Sequence, residues 1–102
     1  MTRARIIELK NEMEKLGWEL INVNGNDLFT VCDEKINWSM VNGRTGRKNR
    51  LTFYLFDYLG RRTDKLSDIL YVEDESNKKL YFDKIDSKGW KVNLREFVRN
   101  LY

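Results

Sequence analysis

The sequence contains no histidine, no proline and a single cysteine, Cys32. Histidine is the commonest metal ligand and the commonest general base at neutral pH, so its absence argues against a zinc site and against most acid–base catalysis. One cysteine cannot form an internal disulfide, and secreted domains of this size usually contain several. We therefore expect no metal, no cofactor, no small-molecule substrate and no enzymatic activity.

Long apolar runs are also missing, and no stretch approaches the roughly 18 residues of a membrane-spanning helix. The N-terminal segment MTRARIIELKNEMEKL carries acids among its apolar positions. Secretory signals and transit peptides do not tolerate acids there. From these features we expect a cytoplasmic protein with no membrane partner.

The 102 residues are 41% apolar, 13% aromatic and 34% charged. This composition is typical of a globular domain with a heavily charged surface. A chain of this length can bury a single core without staples, and no Gly- or Ser-rich stretch indicates a linker. We predict one domain over residues 1–102.

Helical periodicity marks both ends of the chain. Thr2 can cap a helix from about Arg3 to Leu16, and Gly17 supplies the stop signal. The apolar residues predicted to share one face of this helix are Ile6, Leu9, Met13 and Leu16. Near the other end, NLREFVRNLY predicts a short helix in which Asn93 and Glu96 form a capping box.

Between the helices, runs of β-branched and aromatic residues predict strands in WELINV, LFTVC, INWSMV and LTFYLFDY. WELINV and LFTVC predict a hairpin through NGND, and ILYVEDESNKKLYFDKI predicts another with its turn at Ser76 and Asn77. Trp18, Trp38 and Trp90 stand beside apolar runs and are expected in the core. The predicted fold class is α+β: an N-terminal helix, a mostly antiparallel sheet of about five or six strands and a short C-terminal helix.

Positive charge is concentrated in one segment, residues 44–65, which holds seven basic and two acidic residues for a net charge of +5. Residues 1–43 carry a net charge of −2 and residues 66–102 a net charge of zero, within a total of +3. The seven cations of the basic segment are Arg44, Arg47, Lys48, Arg50, Arg61, Arg62 and Lys65.

The loop GRTGRKNR begins this segment but is not a nucleotide-binding P-loop, because Gly46 is not followed by Lys and then Ser or Thr. The cations form two basic clusters, residues 44–50 and residues 61–65. If residues 51–57 form a strand that reverses at both ends, these two clusters lie on the order of 20 Å apart. That span could follow several phosphates, and Tyr54 and Tyr58 could stack on bases. We predict that the seven cations, with Tyr54 and Tyr58, contact nucleic acid or a nucleoprotein complex.

The same segment also fits a protein partner, because aromatic residues and arginine are enriched in protein-binding hot spots. Small size and missing catalytic groups suit an inhibitor or adaptor, for instance one that a phage or mobile element directs at a host defence enzyme. A third interpretation is a solvated loop whose charges serve only solubility. The sequence leaves open whether the two basic clusters share a face.

Overall fold

The computed structural model describes residues 2–23, 35–55, 61, 69–82 and 87–101. In these residues the chain forms, in order, α1 (Thr2–Lys15), β1 (Trp18–Val23), β2 (Lys35–Asn42), β3 (Lys48–Tyr54), β4 (Tyr71–Glu73), β5 (Lys79–Tyr81) and α2 (Ser87–Arg99). The strands form one antiparallel sheet in the order β1-β2-β3-β4-β5. The predicted α+β class is confirmed: the chain is a single compact globule with a helix at each end.

Both helices pack against one face of the sheet. As a result, side chains alternate between buried and accessible along β2 and β3. The buried side chains of the strands join those of α1 and α2 in one core. A chain of aromatic contacts crosses this core from β2 to α2, with ring centroids 4.8 Å apart for Trp38 and Phe53, 6.0 Å for Phe53 and Phe82, and 5.9 Å for Phe82 and Trp90. All three tryptophans are buried, as predicted.

The structure confirms the predicted first helix, and Gly17 follows it with φ of +95°. Ile6, Leu9 and Met13 are buried as expected, but the prediction for Leu16 is wrong. Because α1 ends at Lys15, Leu16 lies in the following turn and leaves the apolar face, with 40% of its surface exposed.

The predicted start of the C-terminal helix is also wrong, since α2 begins at Ser87 and Asn93 lies in its interior. Trp90 and Leu94, four residues apart, are both buried and extend the apolar face upstream of Asn93. The burial of these two side chains favours a helix that continues through Gly89, although a glycine in a helix costs about 1 kcal/mol of stability relative to alanine.

The strand predictions for WELINV, INWSMV and the start of LTFYLFDY are confirmed. β1 pairs with β2, with Trp18 opposite Asn42, while LFTVC, NGND and the end of LTFYLFDY lie outside the described residues. The predicted second hairpin is β4 and β5, and Asn77 in its loop has φ of +65°. The Asp74 carboxylate closes this loop by accepting hydrogen bonds from the backbone N–H groups of Ser76 and Lys78.

The carbonyl of Lys15 at the end of α1 and the two carbonyls that follow it are bound by the end of β2 and the loop after it. We call residues 15–17 and 42–44 the helix-end latch. Its three hydrogen bonds run from Arg44 Nη2 to the Lys15 carbonyl (3.1 Å), from Asn42 Nδ2 to the Leu16 carbonyl (3.2 Å) and from Gly43 N to the Gly17 carbonyl (2.9 Å). The buried Asn42 also accepts from the backbone N–H groups of Arg44 and Thr45 through Oδ1. Carbonyls that have no partner within the helix are thereby satisfied.

The latch predicts that replacement by alanine destabilises the protein more at Gly17 than at Gly46, although both glycines have a positive φ. A Cβ at Gly17 would lie 2.9 Å from Arg44 Cγ and 3.0 Å from Asn42 Oδ1, whereas at Gly46, with φ of +74°, no described atom lies within 4 Å. We expect Gly46→Ala to cost about 1 kcal/mol from the backbone alone, and Gly17→Ala to cost about 1–3 kcal/mol more from crowding. Urea unfolding of both variants measures this, and equal losses would contradict the latch geometry.

The position of Asn93 inside α2 gives a second prediction. Asn93 is exposed, so Asn93→Ala should leave the free energy of unfolding unchanged or raise it by about 0.5 kcal/mol, because alanine is the better helix former. If Asn93 were an N-cap, the same substitution would instead lower the free energy of unfolding by about 1 kcal/mol. Asn42→Ala is the positive control in the same urea titration, with an expected loss of about 1–3 kcal/mol for its buried hydrogen bonds.

Candidate functional site

The structure divides the predicted basic loop between a turn and a strand. Arg44 and Arg47 lie in the β2–β3 connection, which is closed by hydrogen bonds of 2.8 Å from Asn42 N to the Arg47 carbonyl and from Gly46 N to the Asn42 carbonyl. Lys48 and Arg50 belong to β3. Tyr54 ends the same strand, and Arg61 is exposed. The other predicted site residues, Arg62, Lys65 and Tyr58, lie outside the described residues.

Arg44 has a structural contact, because its guanidinium donates to the Lys15 carbonyl at the end of α1. Lys78 makes the equivalent contact at the end of α2, where Nζ donates to the Asn100 carbonyl at 3.1 Å. A cation at a helix C-terminus is stabilised by the helix dipole. The two helix ends thus each engage one loop cation at the same end of the sheet.

The face of the sheet opposite the helices, which we call the outer face, carries the remaining strand cations. Strand partners in neighbouring strands share a face, and the pairing places successive rows of side chains on it. These rows are Glu19, Val41 and Lys48; Ser39 and Arg50; Asn37, Thr52, Glu73 and Lys79; and Lys35, Tyr54, Tyr71 and Tyr81.

Basic residues outnumber acidic ones on the outer face, with four cations and two acids among the side chains of these rows. Arg50 lies 3.8 Å from Glu75 in an ion pair whose two side chains are both more than half exposed. Exposed pairs of this kind contribute little to stability and are screened by salt. Arg50 can therefore exchange its carboxylate partner for another anion at small cost.

Three tyrosines form a continuous row on the outer face, which we call the tyrosine row: Tyr54, Tyr71 and Tyr81. Their neighbouring ring centroids are 6.4 Å and 5.3 Å apart. Lys35 Nζ lies 5.4 Å from the Tyr54 centroid, and Lys79 Nζ lies 4.9 Å from that of Tyr71. Both distances are within the range of cation–π contacts.

Only Tyr54 of this row was among the residues predicted from the sequence. The alternation in the strands YVE and KLY carries a signal for the other two, because Tyr71 and Tyr81 flank the buried Val72 and Leu80. Residues on either side of a buried strand position point to the opposite face. Their meeting with Tyr54 depends on the β3–β4 register, which a single sequence does not contain.

A polar groove of about 390 Å³ lies beside the tyrosine row. Three acids, two cations and four neutral polar residues line it: Glu73, Asp74, Glu75, Lys35, Arg50, Asn37, Thr52, Tyr54 and Asn77. Thr52 Oγ1 donates to Asn37 Oδ1 at 3.0 Å across β2 and β3. Burial raises the pKa of Tyr54 above 10.0, and the charge of Glu73 and a hydrogen bond to its carboxylate raise it further. The groove thus combines amide, hydroxyl, carboxylate and ammonium groups.

The described residues contain no cluster of three or more Cys, Asp or Glu side chains that could hold a metal ion. In the same part of the chain, neither helix is long and apolar enough to cross a membrane. Comparison of the chain with known protein families, curated proteins and solved structures found no match.

The contact between Tyr54 and Glu73 predicts a measurable titration. Glu73→Gln should lower the pKa of Tyr54, because it removes the negative charge that opposes phenolate formation. The folded state holds the phenolic proton of Tyr54 more tightly than the unfolded chain does. The contribution of this group to the free energy of unfolding is therefore full below pH 10.0 and is lost as the pH rises through the folded-state pKa.

Phenolate absorbance during a pH titration reports this shift, with Tyr54→Phe identifying the signal of Tyr54. Glu75→Gln is the matched control, because Glu75 lies in the β4–β5 loop and is not among the groups that shift Tyr54. An equal effect of the two glutamine variants would show that the contact is absent.

Proposed function

We propose that this protein is a non-enzymatic binding protein that holds nucleic acid, alone or within a nucleoprotein complex, on its outer face and the adjoining β2–β3 loop. The observation that supports this most directly is the position of Lys48 and Arg50. Both are exposed and project from the face of the sheet opposite the helices.

The spacing of these cations suits a chain of phosphates. Lys48 and Arg50 are two residues apart on one strand, so their Cα atoms lie about 7 Å apart along β3. Lys35 on β2 and Lys79 on β5 add a cation on each side of β3, with β4 lying between β3 and β5. Arg47 precedes Lys48 at the end of the loop and is exposed. Neutralising phosphates with such residues releases counterions, which supplies most of the affinity in nonspecific binding.

The proposal differs from the sequence-based hypothesis in its treatment of Arg44. The guanidinium of Arg44 is held by the Lys15 carbonyl, and its Cγ packs close to Gly17. We therefore assign Arg44 to the support of the loop and the strand cations to the ligand.

A protein partner is the second candidate, favoured by the acids that interrupt the basic surface. Glu73 lies within the rows of the outer face and Glu75 lies beside Arg50. Tyrosine and arginine are enriched in protein interfaces, and acids can meet complementary charges on a partner. Under this alternative the chain is an inhibitor or adaptor, of the kind that a phage or mobile element directs at a host enzyme.

The nucleic-acid proposal predicts a steep dependence of affinity on salt concentration. Lys48→Ala and Arg50→Ala should each weaken binding and make the slope of log K against log salt shallower by about 0.9 on duplex DNA, or about 0.7 on a single strand, for each phosphate that is no longer neutralised. Fluorescence anisotropy with a labelled oligonucleotide, titrated at several salt concentrations, measures both quantities.

Lys91→Ala is the matched control, because Lys91 is an exposed cation on α2 and α2 packs on the other face of the sheet. It removes the same charge and should leave the slope unchanged. If the wild-type protein gives no anisotropy change at about 50 mM salt with duplex or single strand, the proposal is wrong and the protein-partner alternative takes its place.

A further inference from the structure

We infer that the tyrosine row binds the unpaired bases of a single-stranded nucleic acid, an inference that rests on the proposed function and specifies its ligand. Base–aromatic stacking needs rings that are accessible, close together and held in place. Tyr81 is 51% exposed, and the rings of Tyr54 and Tyr71 continue the row inward across β3 and β4.

The lysines over the rings of Tyr54 and Tyr71 supply the charge that such a ligand requires. Lys35 and Lys79 lie at 5.4 Å and 4.9 Å from the centroids of Tyr54 and Tyr71. A nucleotide whose base contacts one of these rings carries its phosphate within reach of a neighbouring ammonium group. Aromatic rings combined with cations are the usual construction of surfaces that bind single strands.

Duplexes fit this surface less well than single strands. In a duplex, each base is covered by its neighbours on both sides, so its flat face is unavailable to a tyrosine except at the ends. Proteins that recognise unpaired nucleic acid stack its splayed bases on aromatic side chains, and sheet surfaces serve this purpose in known modules.

The groove beside the row adds groups that pair with base edges. The Asn37 amide and the Glu73 carboxylate lie on the row next to the tyrosines. Amides donate and accept hydrogen bonds, and a carboxylate accepts from the exocyclic amino groups of bases. The negative charge of Glu73 also disfavours a phosphate directly above it, which places the backbone of the ligand nearer the lysines.

The test compares three probes by fluorescence anisotropy: a short labelled single strand of mixed sequence, the same strand annealed to its complement, and an abasic strand of equal length. The single strand is used in both DNA and RNA forms. We expect the wild-type protein to bind the single strand more tightly than the other two probes. Tyr81→Ala should weaken single-strand binding by roughly tenfold and leave duplex binding unchanged.

Tyr81→Phe is the control that keeps the ring, and it should bind the single strand like the wild-type protein. Tyr71→Ala tests a second ring of the row, and its thermal unfolding is measured in parallel because Tyr71 is partly buried. The inference is overturned if Tyr81→Ala and a folded Tyr71→Ala both retain full single-strand affinity, or if the abasic strand binds as well as the base-containing one.

The two proposals fail in different ways. If duplex and single strand bind equally and only Lys48→Ala and Arg50→Ala weaken them, the basic surface binds nucleic acid and the tyrosine row does not. If no probe binds the wild-type protein, the proposed function fails and this inference fails with it.

Discussion

The buried amide of Asn42 connects three parts of the molecule that must be arranged together. Through Nδ2 it donates to the Leu16 carbonyl in the turn after α1, and through Oδ1 it accepts from the first residues of the β2–β3 loop. Asn42 also pairs with Trp18, so the same residue takes part in the ladder between β1 and β2. Because a buried amide left without partners costs about 1–3 kcal/mol, alternative arrangements of this corner are disfavoured. The position of Lys48, six residues later on β3, follows from this corner.

The excess of positive charge in the basic segment has two separate physical uses. Arg44 stabilises the C-terminal end of α1, while Lys48 and Arg50 project from the outer face. Lys78, outside the basic segment, does for α2 what Arg44 does for α1. A count of charges along the sequence therefore does not give the charge of the outer face. Arg44 is counted in the basic segment but contacts the end of α1, whereas Lys35 and Lys79 lie on the outer face and come from regions without excess charge.

Local sequence patterns predicted most helices and strands but missed the features that depend on tertiary contacts. The apolar repeat of α1 predicted that helix, and the runs of β-branched and aromatic residues predicted β1, β2, most of β3 and the fold class. The capping-box pattern at Asn93 was misleading, because the burial of Trp90 outweighs a local cap signal. The tyrosine row combines residues from β3, β4 and β5, and only the register of three strands brings them together.

On the outer face, the side chains of the proposed binding surface contact one another and so restrict one another's movement. Tyr71 contacts Tyr54 on one side and Tyr81 on the other, and Lys79 lies over its ring. Side chains held by such neighbours lose less conformational entropy when a ligand arrives than side chains on a mobile loop. Tyrosine adds contact area at low entropic cost because it has only two side-chain torsions. The helices make this possible, because by burying the inner face they leave the composition of the outer face free of the demands of the core.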